Sequence, residues 1–339
     1  MKKKTGILLI NLGTPDSPST SDVRKYLLQF LLDNRVIDYS WILRNLLVRG
    51  LIVPFRASAS AKLYKKLWTD EGSPLKVYGQ QVATQLQNKV GNKAKVILGM
   101  RYQNPSIESA LDELKKENFN RIVVFPMFPQ YASASTGSAH EEVLRIVSKW
   151  QVIPELHFIN SYHDNVGMIE VFADNARKMN PDNYEHFVFS FHGLPQSQLV
   201  RADHNQVCLK SADCCQSISE KNCMCYSAQC HSTARNIAER LNLDKEKYTI
   251  SFQSRLGPEK WTQPPTDKIL ENLAKDGIKR VMVFSPAFVA DCLETTVEIE
   301  DEYRQEFLDK GGEKLDLVPS LNNDPRWVQA IQDMVSPFI

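Results

Sequence analysis

The residue types that could do chemistry crowd into one stretch. Ser190–Cys230 reads SFHGLPQSQLVRADHNQVCLKSADCCQSISEKNCMCYSAQC. It holds six of the seven cysteines, Cys208, Cys214, Cys215, Cys223, Cys225 and Cys230, within 23 positions. Thiols at that density, in a chain with no secretory leader to read, point to metal before disulfides. Four thiolates suit Zn²⁺ or a [2Fe–2S] cluster. The spacing C-x₅-C-C-x₇-C-x-C-x₄-C lacks the paired knuckles common in zinc ribbons. His192 ends the apolar run FVFSFH upstream of the cysteines. An imidazole titrates near pH 6.5 and can hold a metal or move a proton. Taken alone, a satisfied structural histidine is the plainer reading.

A second concentration lies in VFSPAFVADCLETTVEIEDEY, Val283–Tyr303. Glu294, Glu298 and Glu302 recur at i, i+4 and i+8, with Asp301 beside them and Asp291 ahead. On an α-helix such carboxylates share a face. Facing solvent, they are an acidic surface near a helix N-terminus, where the dipole favours anions. Facing a cleft together with His192, they would draw a divalent cation and relay protons. Nitrogen and oxygen ligands suit Fe²⁺ and other first-row divalent ions. The first half offers Arg101 and Tyr102 at the end of an apolar run, and FPMFPQYASASTGSA with Ser133. Apolar walls with hydroxyl and cationic rims fit a flat ligand bearing carboxylates, or equally a core with a Ser/Thr-rich loop.

These residues need a scaffold, and the chain repeats one. ALDELKKENFNRIVVF (Ala110–Phe125) matches ILENLAKDGIKRVMVF (Ile269–Phe284) at an offset of 159 through Leu111/Leu270, Leu114/Leu273, Arg121/Arg280 and Phe125/Phe284. Upstream, ILLINLGTP corresponds to FVFSFHGLP. Strands alternating with helices imply parallel sheets covered on both faces. The expected fold is α/β: two Rossmann-like domains, residues 1–160 and 161–322, with a ligand cleft between them. A Cys-rich insertion falls at about 201–230, and a C-terminal helix, 323–339, packs back. Ligands of such sheets bind beyond the carboxyl ends of the strands.

Composition narrows the class. With 41 Lys and Arg against 40 Asp and Glu, no net field favours nucleic acid. No run reaches the roughly 18 apolar residues of a membrane span. The opening ILLINL is too short for a signal peptide core and reads as a buried strand. The expected compartment is the cytoplasm. Trp41–Phe55, WILRNLLVRGLIVPF, is strongly apolar yet carries Arg44 and Arg49, which suits an amphipathic pocket lip or a core helix. NLGTPDSP lacks the G-x-G-x-x-G of a dinucleotide site.

Seven motifs follow in order across almost the whole chain: LLINLGTPDSP, GSPLKVYGQQ, GMRYQNPSIESAL, FPMFPQYASASTGSA, SFHGLP, FQSRLGP with its following Trp261, and FSPAFVADCLETTVEI. Together they resemble the ferrochelatases, lyases of haem biosynthesis that insert Fe²⁺ into a porphyrin. The resemblance implies the chelatase-like fold, with His192 and Glu294 as the metal- and proton-handling pair. It implies a porphyrin site at Asn11, Leu12, Arg101, Tyr102, Ser133, Trp261 and Phe288. Asp291, Glu298 and Asp301 would form a proton or metal path. Trp41–Phe55 would be an apolar lip making a peripheral contact with the inner face of the membrane. Members using coproporphyrin often carry Tyr at the position of Leu12, so Leu12 implies protoporphyrin IX as the partner of Fe²⁺. Cys292 stands where some members have His. Some members carry a [2Fe–2S] cluster, often on a C-terminal extension. Here the candidate ligands are internal, four of the six clustered cysteines, with Zn²⁺ as the alternative. Rival readings are a chelatase for another tetrapyrrole and a non-catalytic haem- or iron-binding protein with an Fe–S sensor.

Overall fold

The computed structural model describes residues 4–211 and 213–339. The chain divides into two compact units. One comprises Met1–Phe128, Ala132–Asn160 and Val328–Ile339; the other comprises Pro129–Tyr131 and Ser161–Trp327. In the first, β1 (Thr5–Gly13), β2 (Ala94–Tyr102), β3 (Arg121–Pro126) and β4 (Glu155–Phe158) form a parallel sheet in the order β2-β1-β3-β4. In the second, β5 (His186–His192), β6 (Tyr248–Gln253), β7 (Arg280–Phe284) and β8 (Lys314–Leu317) form another in the order β6-β5-β7-β8. The sequence repeat is thus a repeat of topology. Helix Ile107–Lys116 leads into β3 as helix Thr266–Lys275 leads into β7.

Helices cover both faces of such a sheet, so its central strands must be apolar throughout. Ile7 to Ile10 of β1 and Val188, Phe189 and Phe191 of β5 are fully buried. The matched positions do matching work. Leu111 and Leu114 pack with Leu8, Ile122 and Val124 in one core, and Leu270 packs with Val188, Val281 and Val283 in the other. Register then decides what shares each carboxyl edge. Gly13 pairs with Tyr102, and His192 pairs with Gln253. Gly13 has φ +113°, and a Cβ there would lie 2.0 Å from the Tyr102 carbonyl oxygen, so only glycine lets β1 leave the sheet beside β2.

Two segments depart from α-helical expectation. Leu293–Tyr303 is a π-helix, closed by i→i+5 bonds. The Thr295 and Thr296 hydroxyls both donate to the Cys292 carbonyl, a back-bonding that distorts helical turns. Residues four apart therefore do not stack as they do on an α-helix. Glu294 and Glu298 are half-buried, whereas Asp301 and Glu302 are exposed. The lip runs through Trp41–Asn45, a π-helical Leu46–Ile52 and helix Val53–Leu67. Val48, Val53 and Ala57 anchor it on Leu31. Trp41 and Phe55 stand 71% and 75% exposed, so this is a surface feature and not a core helix. No helix among the described residues is long and apolar enough to cross a membrane.

One buried histidine sets an acid limit. His140, in helix Ser138–Val147, lies against Phe158 with ring centroids 4.6 Å apart. Burial pulls its pKa down from 6.5 to about 4. Between those values the unfolded chain takes up a proton that the folded chain refuses, so stability falls as pH drops through that window. From pH 7 to pH 5 this residue should cost about 1–2 kcal/mol. His140→Gln should show a smaller difference in denaturation midpoint between the two pH values. An equal acid loss in both proteins would rule His140 out as the cause.

Candidate active site

Strand β5 delivers His192 to the carboxyl edge of the second sheet. Its Nδ1 lies 2.6 Å from the Gly193 carbonyl oxygen. A carbonyl only accepts, so Nδ1 carries a proton, and whenever the ring is neutral the lone pair is the one on Nε2. The Tyr226 hydroxyl donates to the His192 carbonyl at 2.8 Å, pinning the backbone. Phe288 stands edge-on to the imidazole, with centroids 6.2 Å apart. A Cβ on Gly193 would lie 2.8 Å from the Gln253 carbonyl oxygen and 3.2 Å from the Trp261 ring. The bare glycine is what lets Trp261 approach the strand end.

The π-helix brings Glu294 to the same edge, tied there by Gln253. The Gln253 amide nitrogen donates to the Glu294 carbonyl at 2.7 Å and to Glu298 at 2.9 Å. Its oxygen accepts from Ser190 at 2.7 Å and from Ser285 at 3.4 Å. Cys292 is buried close by, and its thiol pKa is pushed up by burial and then by the Glu294 charge. Asp291 is held by Asn322, whose side chain accepts from the Asp291 amide and donates to its carboxylate.

The first unit assembles its own edge. Asn11 Oδ1 accepts from the Leu12 amide at 2.8 Å, while Asn11 Nδ2 is buried without a protein partner. Arg101 and Tyr102 converge on Asp33: Asp33 Oδ2 accepts from Arg101 Nη2 at 2.7 Å, the Tyr102 hydroxyl at 2.8 Å and Ser138 Oγ at 2.6 Å. Burial, followed by the Asp33 charge, holds the Tyr102 pKa well above its ordinary value. Ser133 Oγ accepts from Arg35, which also pairs with Glu141.

The cysteines sort themselves. Cys225 precedes helix Tyr226–Arg240 and is the hub of the sulfur contacts. Hydrogen bonds from Cys208 and Cys215, helped by the Ala228 and Ser227 amides, bring its pKa down to about 3. The sulfurs of Cys214 and Cys215 are 3.7 Å apart. Cys223 is exposed, with its sulfur on the Glu220 carbonyl, and Cys230 is fully buried against Tyr226. Among the described residues, no three His, Cys, Asp or Glu side chains stand ready-arranged around a metal ion. What the structure does show is a chain of neighbours: Cys208 and Cys215 on Cys225, and Cys214 beside Cys215.

Sequence reasoning missed Asp33 and Tyr226, and marked Gln253 and Ser254 as a strand end facing the ligand without giving either a role. A lone acid in the apolar QFLLDN and the polar FQS at a strand end were the available signals.

Two like four-stranded parallel sheets in one chain make this a two-domain α/β protein. The solved structure of SirB from Bacillus subtilis with Fe³⁺ superposes with a TM-score of 0.55 at 13% identity, covering 98% of this chain and 94% of that one, a likeness of fold. The ferrochelatase family profile matches residues 4–337. A ferrochelatase of Coxiella burnetii is 44% identical over 331 residues, 98% of this chain and 93% of that protein. One of Legionella pneumophila is 41% identical over 333 residues, 98% and 99% of the two chains. The chain belongs to the ferrochelatase family and is an enzyme that inserts metal into a porphyrin.

Proposed function

We propose that this enzyme inserts Fe²⁺ into protoporphyrin IX to give protohaem, the last step of haem synthesis. The observation that carries the mechanism is the placement of His192. Its Nδ1 is turned to the Gly193 carbonyl at the carboxyl edge of the sheet, which leaves Nε2 for the pyrrole proton, and Glu294 is held on the same edge through Gln253. Each iron bound releases two pyrrole protons, so a neutral base and a carboxylate are the groups the step needs. His192 accepts the pyrrole protons, and Glu294, with Asp291 behind it, meets the cation or passes protons outward. Trp261 and Phe288 supply apolar contact for the macrocycle on this unit. Asn11, Leu12, Arg101, Tyr102 and Ser133 are the residues of the first unit assigned to the porphyrin. The exposed lip would rest at the inner membrane face of a cytoplasmic enzyme.

Anaerobic incubation with Fe²⁺ and protoporphyrin IX tests this, followed as loss of porphyrin fluorescence and growth of haem absorbance, with coproporphyrin III run in parallel. Turnover of protoporphyrin IX supports the reading. Preference for coproporphyrin III, or no turnover by folded protein, sinks it.

For the cysteines the proposed set is Cys208, Cys214, Cys215 and Cys225, holding a [2Fe–2S] cluster. Bound there, the cluster would act as a redox-sensitive crosslink coupled to folding. Cys225→Ser should remove the visible iron–sulfur absorbance and the acid-labile sulfide, whereas Cys223→Ser should retain both. A colourless wild-type protein carrying zinc would decide for Zn²⁺.

A further inference from the structure

Glu298 has no spare valence for traffic. Its Oε1 accepts from the Ser254 amide at 3.0 Å and the Tyr303 hydroxyl at 2.9 Å. Its Oε2 accepts from Gln253 Nε2 at 2.9 Å and from Ser254 Oγ. A carboxylate offers about four lone-pair sites, and all four are engaged. We propose that Glu298 is a positioning residue, a clamp that fixes the Gln253–Ser254 strand end to the π-helix and so sets where Glu294 stands relative to His192. The inference rests on His192 and Glu294 being the reacting pair.

The contacts run without a break. Ser254 has φ +63°, a left-handed conformation that a residue with a side chain holds only where its surroundings over-determine it. Both its N–H and its Oγ end on Glu298. Gln253 is 1% exposed and pairs with His192 in the ladder. The Ser190 and Ser285 hydroxyls claim its oxygen, which turns its nitrogen towards the π-helix. One amide therefore joins the strand of His192 to the backbone of Glu294. Without Glu298, Ser254 loses its anchor and the amide loses one of its two acceptors. Tyr303, half-buried beside the Glu298 charge, has its pKa held well above the ordinary value and stays a donor.

The test compares wild type, His192→Ala, Glu298→Gln and Ser254→Ala as full chains, each with a kcat–pH profile, a KM for porphyrin and a thermal midpoint. Glu298→Gln should lower kcat about tenfold, since small misplacements of reacting groups are costly. The fall should be uniform across pH, with KM little changed. Ser254→Ala, which removes one donor, should lower kcat about threefold by the same reasoning. It decides the matter if Glu298→Gln does not fold. A drop in thermal midpoint with kcat intact makes Glu298 a structural brace and overturns the clamp. Loss of one limb of the pH profile makes it a proton carrier and overturns the clamp too. Activity surviving in His192→Ala would fail the parent reading instead, so the two failures are separable.

Discussion

His192→Ala should bind porphyrin as the wild type does and insert iron about 10²–10⁴-fold more slowly, the range for loss of a positioned general base. The expected effect falls on kcat because the ring does little for the fold. His192 is half-buried at the end of β5, while Phe189 and Phe191 of that strand carry the packing. Its backbone is fixed by the ladder to β6 and by the Tyr226 hydroxyl, and neither contact involves the imidazole. The alanine variant should therefore keep its thermal midpoint within a few degrees. Porphyrin binding, followed by fluorescence quenching without iron, should be retained through Trp261 and Phe288. Turnover within a few-fold of wild type would move the base role elsewhere, and Glu294 would be next. A collapsed thermal midpoint would instead mean that the ring braces the strand end, against the contacts described.

What could be read from sequence, and what could not, divides along physical lines. The fold was legible because its elements are set by local pattern. The central strands are unbroken apolar runs, and one helix–strand pair recurs at an offset of 159 with the same order of parts around it, so two parallel sheets follow directly. His192 was legible for the same reason, since a strand end can be counted. The acids of Val283–Tyr303 were legible as residues but not as an arrangement. Their spacing lines one face only if the helix closes i→i+4, and this one closes i→i+5. Glu298 accordingly meets Gln253, Ser254 and Tyr303 and not a row of fellow acids. The cysteines show the same limit. Density signals thiol chemistry, but only the fold separates Cys225, met by Cys208 and Cys215, from the exposed Cys223 and the secluded Cys230. Asp33 offers a signal, a lone acid in QFLLDN, but no role, because an acid in an apolar stretch is enclosed or solvated according to which strand and helix approach it.

That enclosure makes Asp33→Ala the substitution with the largest expected effect on stability, a loss of about 3–5 kcal/mol, the range for removing one partner of a buried ion pair. The Asp33 side chain is 3% exposed and the Arg101 side chain 19%. Three donors end on one carboxylate oxygen, and the other accepts from the Arg35 amide at 2.8 Å. Deleting the carboxylate leaves the guanidinium with the Ser138 oxygens and the Tyr102 ring face, and without its counter-charge. It leaves the Tyr102 hydroxyl, enclosed in the core, with Ser138 Oγ at 3.4 Å. Leaving buried donors unpaired costs their full desolvation, which exceeds what the bonds gain when made. Asp33→Asn keeps the volume and one acceptor oxygen, so it should lose less than Asp33→Ala. Glu117 supplies the contrast: it pairs with Lys95 on the surface, where solvent and salt screen the charge, and Glu117→Ala should barely move the midpoint. Urea denaturation followed by circular dichroism orders the three variants. If Asp33→Ala unfolds no earlier than Glu117→Ala, the Asp33 cluster is not a buried ion pair in solution, and Arg101 and Tyr102 reach their positions by packing alone.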